Sequence, residues 1–296
     1  MHYLAKFTHK GIFIFVAQET IRMEILHRCP LQSSISICSI TTKKDEVFLL
    51  GKRYRLCHTI TVYDRNNMAE VKDVISLSGL HPYNIAACSV SDCIYVLNRK
   101  LHRHYSILCI TKDGDRWSTV TVLINDICVH VPTLCVTASG SLIVSSQQTE
   151  KLPAISVFNA DGSMQREIWL SEDVSVVTHV ILKSNGNLVL AVRGASCKLI
   201  DIDLDGNIIR QYDSNTIHAA SYADSYGRVL TFNYLENMKL FDAEFNLMDF
   251  TGPQLDGGDH FYPNKLHYNS ERNELVTVES RGGVKNALVI FRFTEI

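Results

Sequence analysis

Two short segments of the chain concentrate the residue types that bind anions. GKRYR (51–55) and NRKLHRH (98–104) combine arginine, lysine and histidine, with a tyrosine in or directly after each segment. Arginine forms paired hydrogen bonds with carboxylates and phosphates, lysine supplies a compact positive charge, and tyrosine can stack on a nucleobase. The predicted binding residues are Lys52, Arg53, Tyr54, Arg55, Arg99, Lys100, Arg103 and Tyr105. Their chemistry suits an acidic protein segment or single-stranded RNA.

A second candidate is LIDIDLDGNIIRQY (199–212), which contains the D-x-D-x-D-G pattern that opens a calcium-binding EF-hand loop. The twelfth position, where such a loop has a bidentate glutamate, is Tyr212. CITKDG and VFNADG stand at the equivalent place in other parts of the chain and read as hairpin turns in which glycine supplies a positive φ. The sequence therefore predicts a hairpin, with Asp201, Asp203 and Asp205 on a solvated strand face and in the turn.

Five histidines recur along the chain at intervals that suggest a common position in a repeat: His81, His130, His179, His218 and His260. Histidine is a frequent ligand of zinc and similar metals. Counted back from the first aliphatic residue of the following strand, however, the histidines lie between 9 and 15 residues away. That register is too loose for imidazoles that converge on one ion, so we predict scattered loop histidines and no metal. A metal-dependent enzyme with an axial site is the weaker alternative.

No catalytic motif stands out. The chain has no G-x-S-x-G, no glycine-rich phosphate loop and no H-E-x-x-H. Acids and bases from distant segments could still converge, but nothing in the pattern points to a reaction. We therefore predict that the chain is not an enzyme and needs no cofactor.

Composition limits the class of protein. Of 296 residues, 46% are hydrophobic and 20% charged, the formal net charge is −2, and no apolar run reaches the roughly 18 residues of a membrane span. Most of the nine cysteines lie inside apolar runs and no C-x-x-C occurs. Buried thiols, rather than a bridge such as Cys88 to Cys93, are expected. These features predict a cytoplasmic protein without membrane contact and leave its oligomeric state open.

The elements that must position these residues are short strands in a repeat. Six strongly apolar runs begin at residues 45, 92, 140, 186, 227 and 273, at spacings of 41 to 48 residues, and each is followed by a loop and another β run. A period of that size filled with strands and turns is the signature of a β-propeller, whose blades bury their faces against each other. We predict an all-β, six-bladed β-propeller. The blades span about 31–80, 81–128, 129–175, 176–216, 217–262 and 263–296.

The N-terminal stretch is predicted to close this ring. IFIFVAQETIRMEIL (12–26) matches ISVFNADGSMQREIW (155–169) at a constant offset, so residues 1–30 read as a hairpin of the third and fourth strands of a blade. Its fourth strand would complete the last blade and cover an exposed edge. Both ends of the chain then offer a third strand, which leaves one strand surplus. The whole of 1–296 is expected to form a single domain.

The repeat resembles the NHL-repeat family of six-bladed propellers, in particular its divergent invertebrate members. HPYNIAACSVSDCIYVLN (81–98) carries the likeness, together with the turns at Ser139-Gly140 and 224–228. The aspartate that this family has after the second strand is absent, and Asn98, Ser146 and Asn233 stand in that region. The resemblance implies binding of protein or RNA, usually through the face that carries the loops between second and third strands.

Propeller geometry sharpens the charge pattern. The connections between second and third strands all emerge on one face, and they contain eleven lysines and arginines against three acidic residues. The turns between third and fourth strands lie on the opposite face and contribute Asp64, Asp113, Asp115, Asp161, Asp205 and Glu244. The sequence thus predicts an interaction scaffold that docks a protein with an acidic segment on its basic loop face. Single-stranded RNA on the same face is the alternative.

Overall fold

The structure is a computed structural model, and every residue that it places in regular secondary structure lies in a β-strand. It describes residues 2–7, 13–18, 21–31, 36–54, 57–68, 70–101, 104–128, 133–146, 152–214, 219–224, 226–232, 238–248, 250–251, 265–269, 272–281 and 285–295. Among these residues, no helix has the length and apolar character needed to cross a membrane.

The chain begins with three strands that belong to two different sheets. They are β1 (His2–Phe7), β2 (Phe13–Gln18) and β3 (Ile21–Pro30). Within the described part of the chain, strands β1 and β2 pair with each other in an antiparallel two-stranded sheet. Strand β3 joins a sheet that is otherwise built from the C-terminal end of the chain.

Four regular four-stranded sheets follow, each an antiparallel meander in which consecutive strands are neighbours. The first sheet is β4 (Ser36–Lys43), β5 (Glu46–Tyr54), β6 (Cys57–Asp64) and β7 (Val71–Ser76). The second is β8 (Pro82–Ala87), β9 (Cys93–Leu101), β10 (His104–Asp113) and β11 (Arg116–Cys128). The third is β12 (Leu134–Val136), β13 (Leu142–Ser146), β14 (Ala154–Phe158) and β15 (Met164–Trp169). The fourth is β16 (Val174–Leu182), β17 (Leu188–Gly194), β18 (Cys197–Ile202) and β19 (Ile208–Ser214).

The remaining strands form two less regular sheets. A three-stranded sheet contains β20 (Ala219–Ala223), β21 (Val229–Phe232) and β22 (Lys239–Phe241). The terminal sheet has the order β23-β3-β26-β25-β24. Its C-terminal members are β23 (Phe250–Thr251), β24 (Lys265–Asn269), β25 (Glu274–Arg281) and β26 (Lys285–Glu295).

The hydrophobic core is divided among the junctions between neighbouring sheets. One cluster joins Phe48 and Ile60 of the first sheet to Ile94 and Ile110 of the second. Equivalent clusters join each successive pair of sheets, including the terminal sheet and the first. Second strands are the most buried because sheets cover both of their faces, and for this reason they are continuous apolar runs in the sequence. This packing is that of a β-propeller.

The predicted count of six complete blades needs correction. In the described part of the chain, five sheets have four strands or more, and the region predicted as the fifth blade contributes only three. Leu247 makes a single bridge to Phe241, and β23 then pairs in parallel with Ile21–Arg22 of β3. Phe250 packs in the cluster that contains Met23 and Phe293. The strand thus leaves its own blade and packs a partly buried aromatic residue against the terminal sheet.

The predicted N-terminal hairpin is also wrong. Strand β2 pairs with β1, whereas β3 pairs antiparallel with β26 along its full length, from Ile21 opposite Glu295 to Pro30 opposite Ala287. Strand β26 occupies the third position of the terminal sheet and covers the edge to which β2 would have bound. The surplus strand is therefore the N-terminal one.

The cysteine prediction agrees with the structure where it can be compared. The side chains of eight of the nine cysteines are described, and all eight are free thiols. Cys88 and Cys93 are buried, and the backbone N–H of Cys88 donates to the carbonyl of Cys93 across the turn that joins β8 to β9. They are neighbours without being bridged.

Candidate docking face

The ends of the second strands carry the basic residues. In β9, residues 93–98 are buried and residues 99–101 are exposed, because the strand extends beyond the neighbouring sheets at this end. Arg99 and Lys100 are therefore in solvent, and Leu101 beside them is 74% exposed. Lys52 is exposed at the matching end of β5, and Arg193 at the end of β17. This set of strand ends is called the loop face below.

The structure places only part of the predicted binding set. Lys52, Arg99 and Lys100 are exposed on the loop face. The backbones of Arg53 and Tyr54 continue β5, and their side chains lie outside the description. Arg55 and Arg103 lie outside the described residues altogether.

Tyr105 does not have the accessibility that stacking on a base requires. Its side chain is 5% exposed and packs in the core between the second and third sheets. Its ring meets that of Tyr83 edge to face, with centroids 6.2 Å apart. Burial raises the pKa of its hydroxyl. The residue follows the basic segment in sequence, but strand alternation turns its ring toward the core.

Acidic residues on the same face neutralise part of the positive charge. His104 Nδ1 lies 3.0 Å from Asp126 Oδ1, and Lys198 Nζ lies 2.6 Å from Asp173 Oδ2. Both aspartates are in or beside connections that lead from a fourth strand to the next sheet, and these emerge beside the loops that join second to third strands. The charge balance predicted for this face included only the latter loops. A count of both sets would have shown a less positive face around the fourth sheet.

The junction of the first and second sheets keeps its positive charge. Lys52 is directly opposite His58 in the pairing of β5 with β6. The rings of His58 and His81 meet edge to face, with centroids 6.2 Å apart. Arg99 lies beside these histidines, because its backbone N–H donates to the carbonyl of His81 at 2.9 Å. We call Lys52, His58, His81 and Arg99 the basic junction.

His58 has an unusual environment within this group. Its side chain is 5% exposed, and burial together with the charges of Lys52 and His81 lowers its pKa. A hydrogen bond with the backbone of Leu80 partly opposes that shift. Among the described residues, Nδ1 of His58 has no hydrogen-bond partner. Sequence reasoning did not single out this residue, because only the fold brings it to His81.

Three of the six predicted acidic residues on the opposite face form ion pairs with neighbouring strands or sheets. Arg166 of the third sheet binds the carboxylate of Asp205 in the fourth, and Arg210 of the fourth lies 3.7 Å from Glu244. Asp64 forms an ion pair with Lys72 inside the first sheet, which lowers the pKa of its carboxyl. These acids therefore help to join the propeller together.

The D-x-D-x-D-G segment is a hairpin turn, as predicted. Asp203 caps it by accepting hydrogen bonds from the backbone N–H groups of Asp205 and Asn207. The prediction for Asp201 was wrong, however, because it does not lie on a solvated face. It is 1% exposed and forms an ion pair with Lys183, with Nζ 2.9 Å from Oδ2. Neighbouring sheets cover this strand, so its carboxylate is neutralised internally.

The recurring histidines form no metal site in the described part of the chain. No group of three or more histidine, cysteine, aspartate or glutamate side chains there has the geometry to hold an ion. His81 is on the loop face and His179 in strand β16, whereas His130, His218 and His260 lie outside the described residues.

No protein-family model matches this chain, and no curated protein is significantly similar to it. Solved structures do share its fold. A Bacteroides thetaiotaomicron protein of unknown function matches 96% of this chain with 80% of its own, at 10% identity and a TM-score of 0.60. YCF48 bound to a D1 peptide matches 87% of this chain with 78% of its own, at 13% identity and a TM-score of 0.53. The chain is a β-propeller.

One further neighbour corrects the prediction that the chain is not an enzyme. The PQQ-bound aldose sugar dehydrogenase of Streptomyces coelicolor shares the fold, with a TM-score of 0.57 and 10% identity over 93% of this chain and 98% of its own. An enzyme thus uses the same architecture, and the propeller gives no ground for excluding catalysis. At this identity the likeness concerns the fold, and the resemblance to NHL repeats remains a prediction.

Proposed function

We propose that this propeller docks a protein partner by binding an acidic segment of it on the loop face. The observation that carries the proposal is the exposure of Lys52, Arg99 and Lys100 at adjacent strand ends of the first two sheets. The predicted contact set extends from these residues to Arg53, Arg55 and Arg103. Among the described residues, neither Lys52 nor Arg99 has an acidic partner within ion-pair distance, so both charges are available to a ligand.

Charge complementarity explains how such a face would act. An exposed ion pair contributes only about 0.2–1 kcal/mol, so no single contact fixes the partner. Several pairs formed together accelerate association and set the orientation of the bound segment. Arginine adds geometric selectivity, because its guanidinium group binds both oxygens of a carboxylate. Lys100 is already oriented by a hydrogen bond of 2.6 Å from Nζ to Asn125 Oδ1.

The fold supports peptide docking as a mode of action. YCF48, a propeller of similar architecture, is described in its complex with a D1 peptide. A propeller offers a rigid frame for loops, and its loops can vary without disturbing the cores between sheets. This precedent concerns the fold and leaves the identity of the partner open.

Single-stranded RNA is the second ligand class for this face. The burial of Tyr105 removes one of the predicted stacking rings, and aromatic stacking is a main source of affinity for unpaired bases. The net charge of −2 also disfavours a dedicated nucleic-acid module. We therefore place the acidic protein segment first.

The test is a fluorescence-anisotropy titration with two labelled pools, one of degenerate Glu/Asp-rich peptides and one of randomised single-stranded RNA. The triple variant Lys52→Glu, Arg99→Glu, Lys100→Glu should weaken peptide binding by about tenfold or more, since three favourable contacts become repulsive. Arg116→Glu is the matched control, because Arg116 is equally exposed but lies at the turn of the opposite face. Peptide binding that survives the triple variant would refute the proposed face. Binding of the RNA pool alone would favour the second ligand class.

A further inference from the structure

The basic junction combines side chains that distant parts of the chain supply. Lys52 and His58 come from paired strands of the first sheet, His81 from the connection to the second sheet, and Arg99 from the exposed end of β9. Lys52, His81 and Arg99 are exposed, and His58 is buried behind them. A cluster of basic side chains with a buried imidazole behind it differs from the scattered lysines of an ordinary surface.

Backbone hydrogen bonds hold the junction in place. The N–H of Leu77 donates to the carbonyl of His58 at 2.9 Å, and the N–H of Arg99 donates to the carbonyl of His81 at the same distance. The N–H of His81 donates to Asn98 Oδ1 at 2.7 Å. The main chain at three of the four basic residues is therefore fixed before any ligand arrives. A preformed site loses less conformational entropy on binding than a flexible one.

The second feature of the junction is a buried imidazole nitrogen, Nδ1 of His58, that has no hydrogen-bond partner among the described residues. Buried polar atoms are almost always hydrogen-bonded, and each exception calls for a water, an ion or a ligand. Nδ1 of His58 has no partner in the described part of the chain, and the Leu80 backbone partly opposes the lowering of the His58 pKa. Protonation of Nδ1 would turn it into a donor, which is the form that an anion stabilises.

Three other lysines of the first two sheets are already paired with carboxylates. Lys43 lies 2.7 Å from Asp92, Lys72 lies 2.7 Å from Asp64, and Lys112 lies 3.1 Å from Glu46. No such carboxylate is within ion-pair distance of Lys52 or Arg99 among the residues that the structure describes. The positive charge of the junction thus remains uncompensated within this part of the chain.

We propose that the basic junction binds the phosphate of a phosphorylated residue in the docked protein segment. This inference rests on the proposed function and specifies its partner. Lys52 and Arg99 bring two formal positive charges, and a phosphoserine carries a charge of about −1.5 to −2 with three acceptor oxygens. A carboxylate has one charge and two oxygens, so it would satisfy fewer of the donors that the junction presents. Charge and donor number together favour phosphate.

The first experiment uses inorganic phosphate and reads the histidines directly. Proton–carbon NMR spectra of the full chain, with the imidazole signals assigned through His58→Gln and His81→Gln, are recorded during a phosphate titration at constant ionic strength and pH. Signals of both His58 and His81 should shift in a saturable way, while that of His104 on the far side of the second sheet's loop should not. Absence of a saturable shift at His58 and His81 would overturn the proposal.

The second experiment uses two pools of acidic peptides that differ only in a central phosphoserine or serine. The phosphorylated pool should bind about tenfold more tightly, which corresponds to about one charge-assisted contact. Lys52→Met and Arg99→Met should remove this preference. Arg193→Met is the control, because Arg193 lies on the same loop face at the fourth sheet. Lys52 and Arg99 are exposed, so both variants should fold.

The outcomes separate this inference from the proposed function. Equal binding of the two pools, with loss in the triple charge-reversal variant, would refute the phosphate site and leave acidic docking intact. Failure of both pools to bind, with saturable shifts of His58 and His81 in phosphate, would refute peptide docking and retain the anion site. A preference for phosphoserine that persists in Lys52→Met and Arg99→Met would place the phosphate elsewhere.

Discussion

Arg65 and Glu274, which are 209 residues apart in the chain, form a buried ion pair between the first sheet and the terminal sheet. Nε of Arg65 donates to Oε2 of Glu274 at 2.9 Å, and the two side chains are 9% and 1% exposed. Arg292 lies 3.2 Å from the other carboxylate oxygen. Inner strands β24 and β4 of the same two sheets also pack against each other. The first sheet and the terminal sheet are therefore held together by apolar packing and by a buried ion pair.

Removal of one partner should destabilise the fold strongly. Arg65→Met leaves a buried carboxylate with one remaining, half-exposed partner, and such changes typically cost about 3–5 kcal/mol. We expect the free energy of unfolding in urea to fall by roughly 3 kcal/mol. The control is Lys72→Met, which breaks an exposed ion pair in the same sheet and should cost less than about 1 kcal/mol. Equal losses in the two variants would show that the buried pair has no special role.

His267 should make the protein sensitive to mild acid. Burial lowers the pKa of this histidine to about 4, whereas the unfolded chain has a value near 6.5. Between these values the unfolded state binds a proton that the folded state does not, so stability is complete above pH 6.5 and decreases as the pH falls. At pH 5 the loss should be about 2 kcal/mol.

The matched variant for this prediction is His267→Gln, which cannot take up the proton. Urea unfolding of both proteins at intervals from pH 8 to pH 5 isolates the contribution of the histidine, because the carboxylates titrate equally in each. The difference in unfolding free energy between the two proteins should be constant above pH 7 and should change in favour of the variant below pH 6.5. Parallel profiles over the whole range would contradict the assignment.

Two glycines with the same backbone conformation should respond differently to alanine. Gly162 and Gly186 both have a φ near +87°, at +86° and +87°. A Cβ at Gly162 would lie 2.7 Å from the carbonyl oxygen of Leu123 in the second sheet, whereas nothing lies within 4 Å of one at Gly186. Gly186→Ala should cost about 1–2 kcal/mol through backbone strain alone. Gly162→Ala should cost a further 1–3 kcal/mol, approximately, because the third sheet must move away from the second.

Thermal and urea unfolding of the two alanine variants tests this difference. The backbone strain at the turn is common to both variants. The difference between their free energies of unfolding therefore measures the cost of the contact between Gly162→Ala and the second sheet. Similar stabilities would mean that the two sheets separate easily at this point.

Much of the architecture could be predicted from the sequence because the same pattern of strands and turns recurs along the chain. The second strands are recognisable as apolar runs since sheets cover both of their faces, and the turn at Gly206 is recognisable from the pattern that ends in D-G. Asp203 caps that turn through contacts only two and four residues away. Local chemistry of this kind needs no knowledge of the tertiary structure.

Individual side chains near these elements were harder to predict. Asp201 and Asp203 stand two residues apart in one alternating pattern, yet one is buried against Lys183 and the other is in the turn. Tyr105 borders a basic segment but is directed into the core. Periodicity gives the face on which a residue lies, and neighbouring sheets decide whether that face is covered.

The sequence by itself determined the β-propeller class, the order of the strands within the first four sheets and the basic character of the strand ends at Lys52, Arg99 and Lys100. The tertiary structure decided the pairing of β3 with β26, the departure of β23 from its own blade, and the meeting of His58 with His81. The physical reason is the range of the interactions. Strand propensity, turn chemistry and repeated apolar runs act over a few residues. The packing of Phe250 against the terminal sheet and the contacts of the basic junction depend on segments that only the packing of neighbouring sheets brings together.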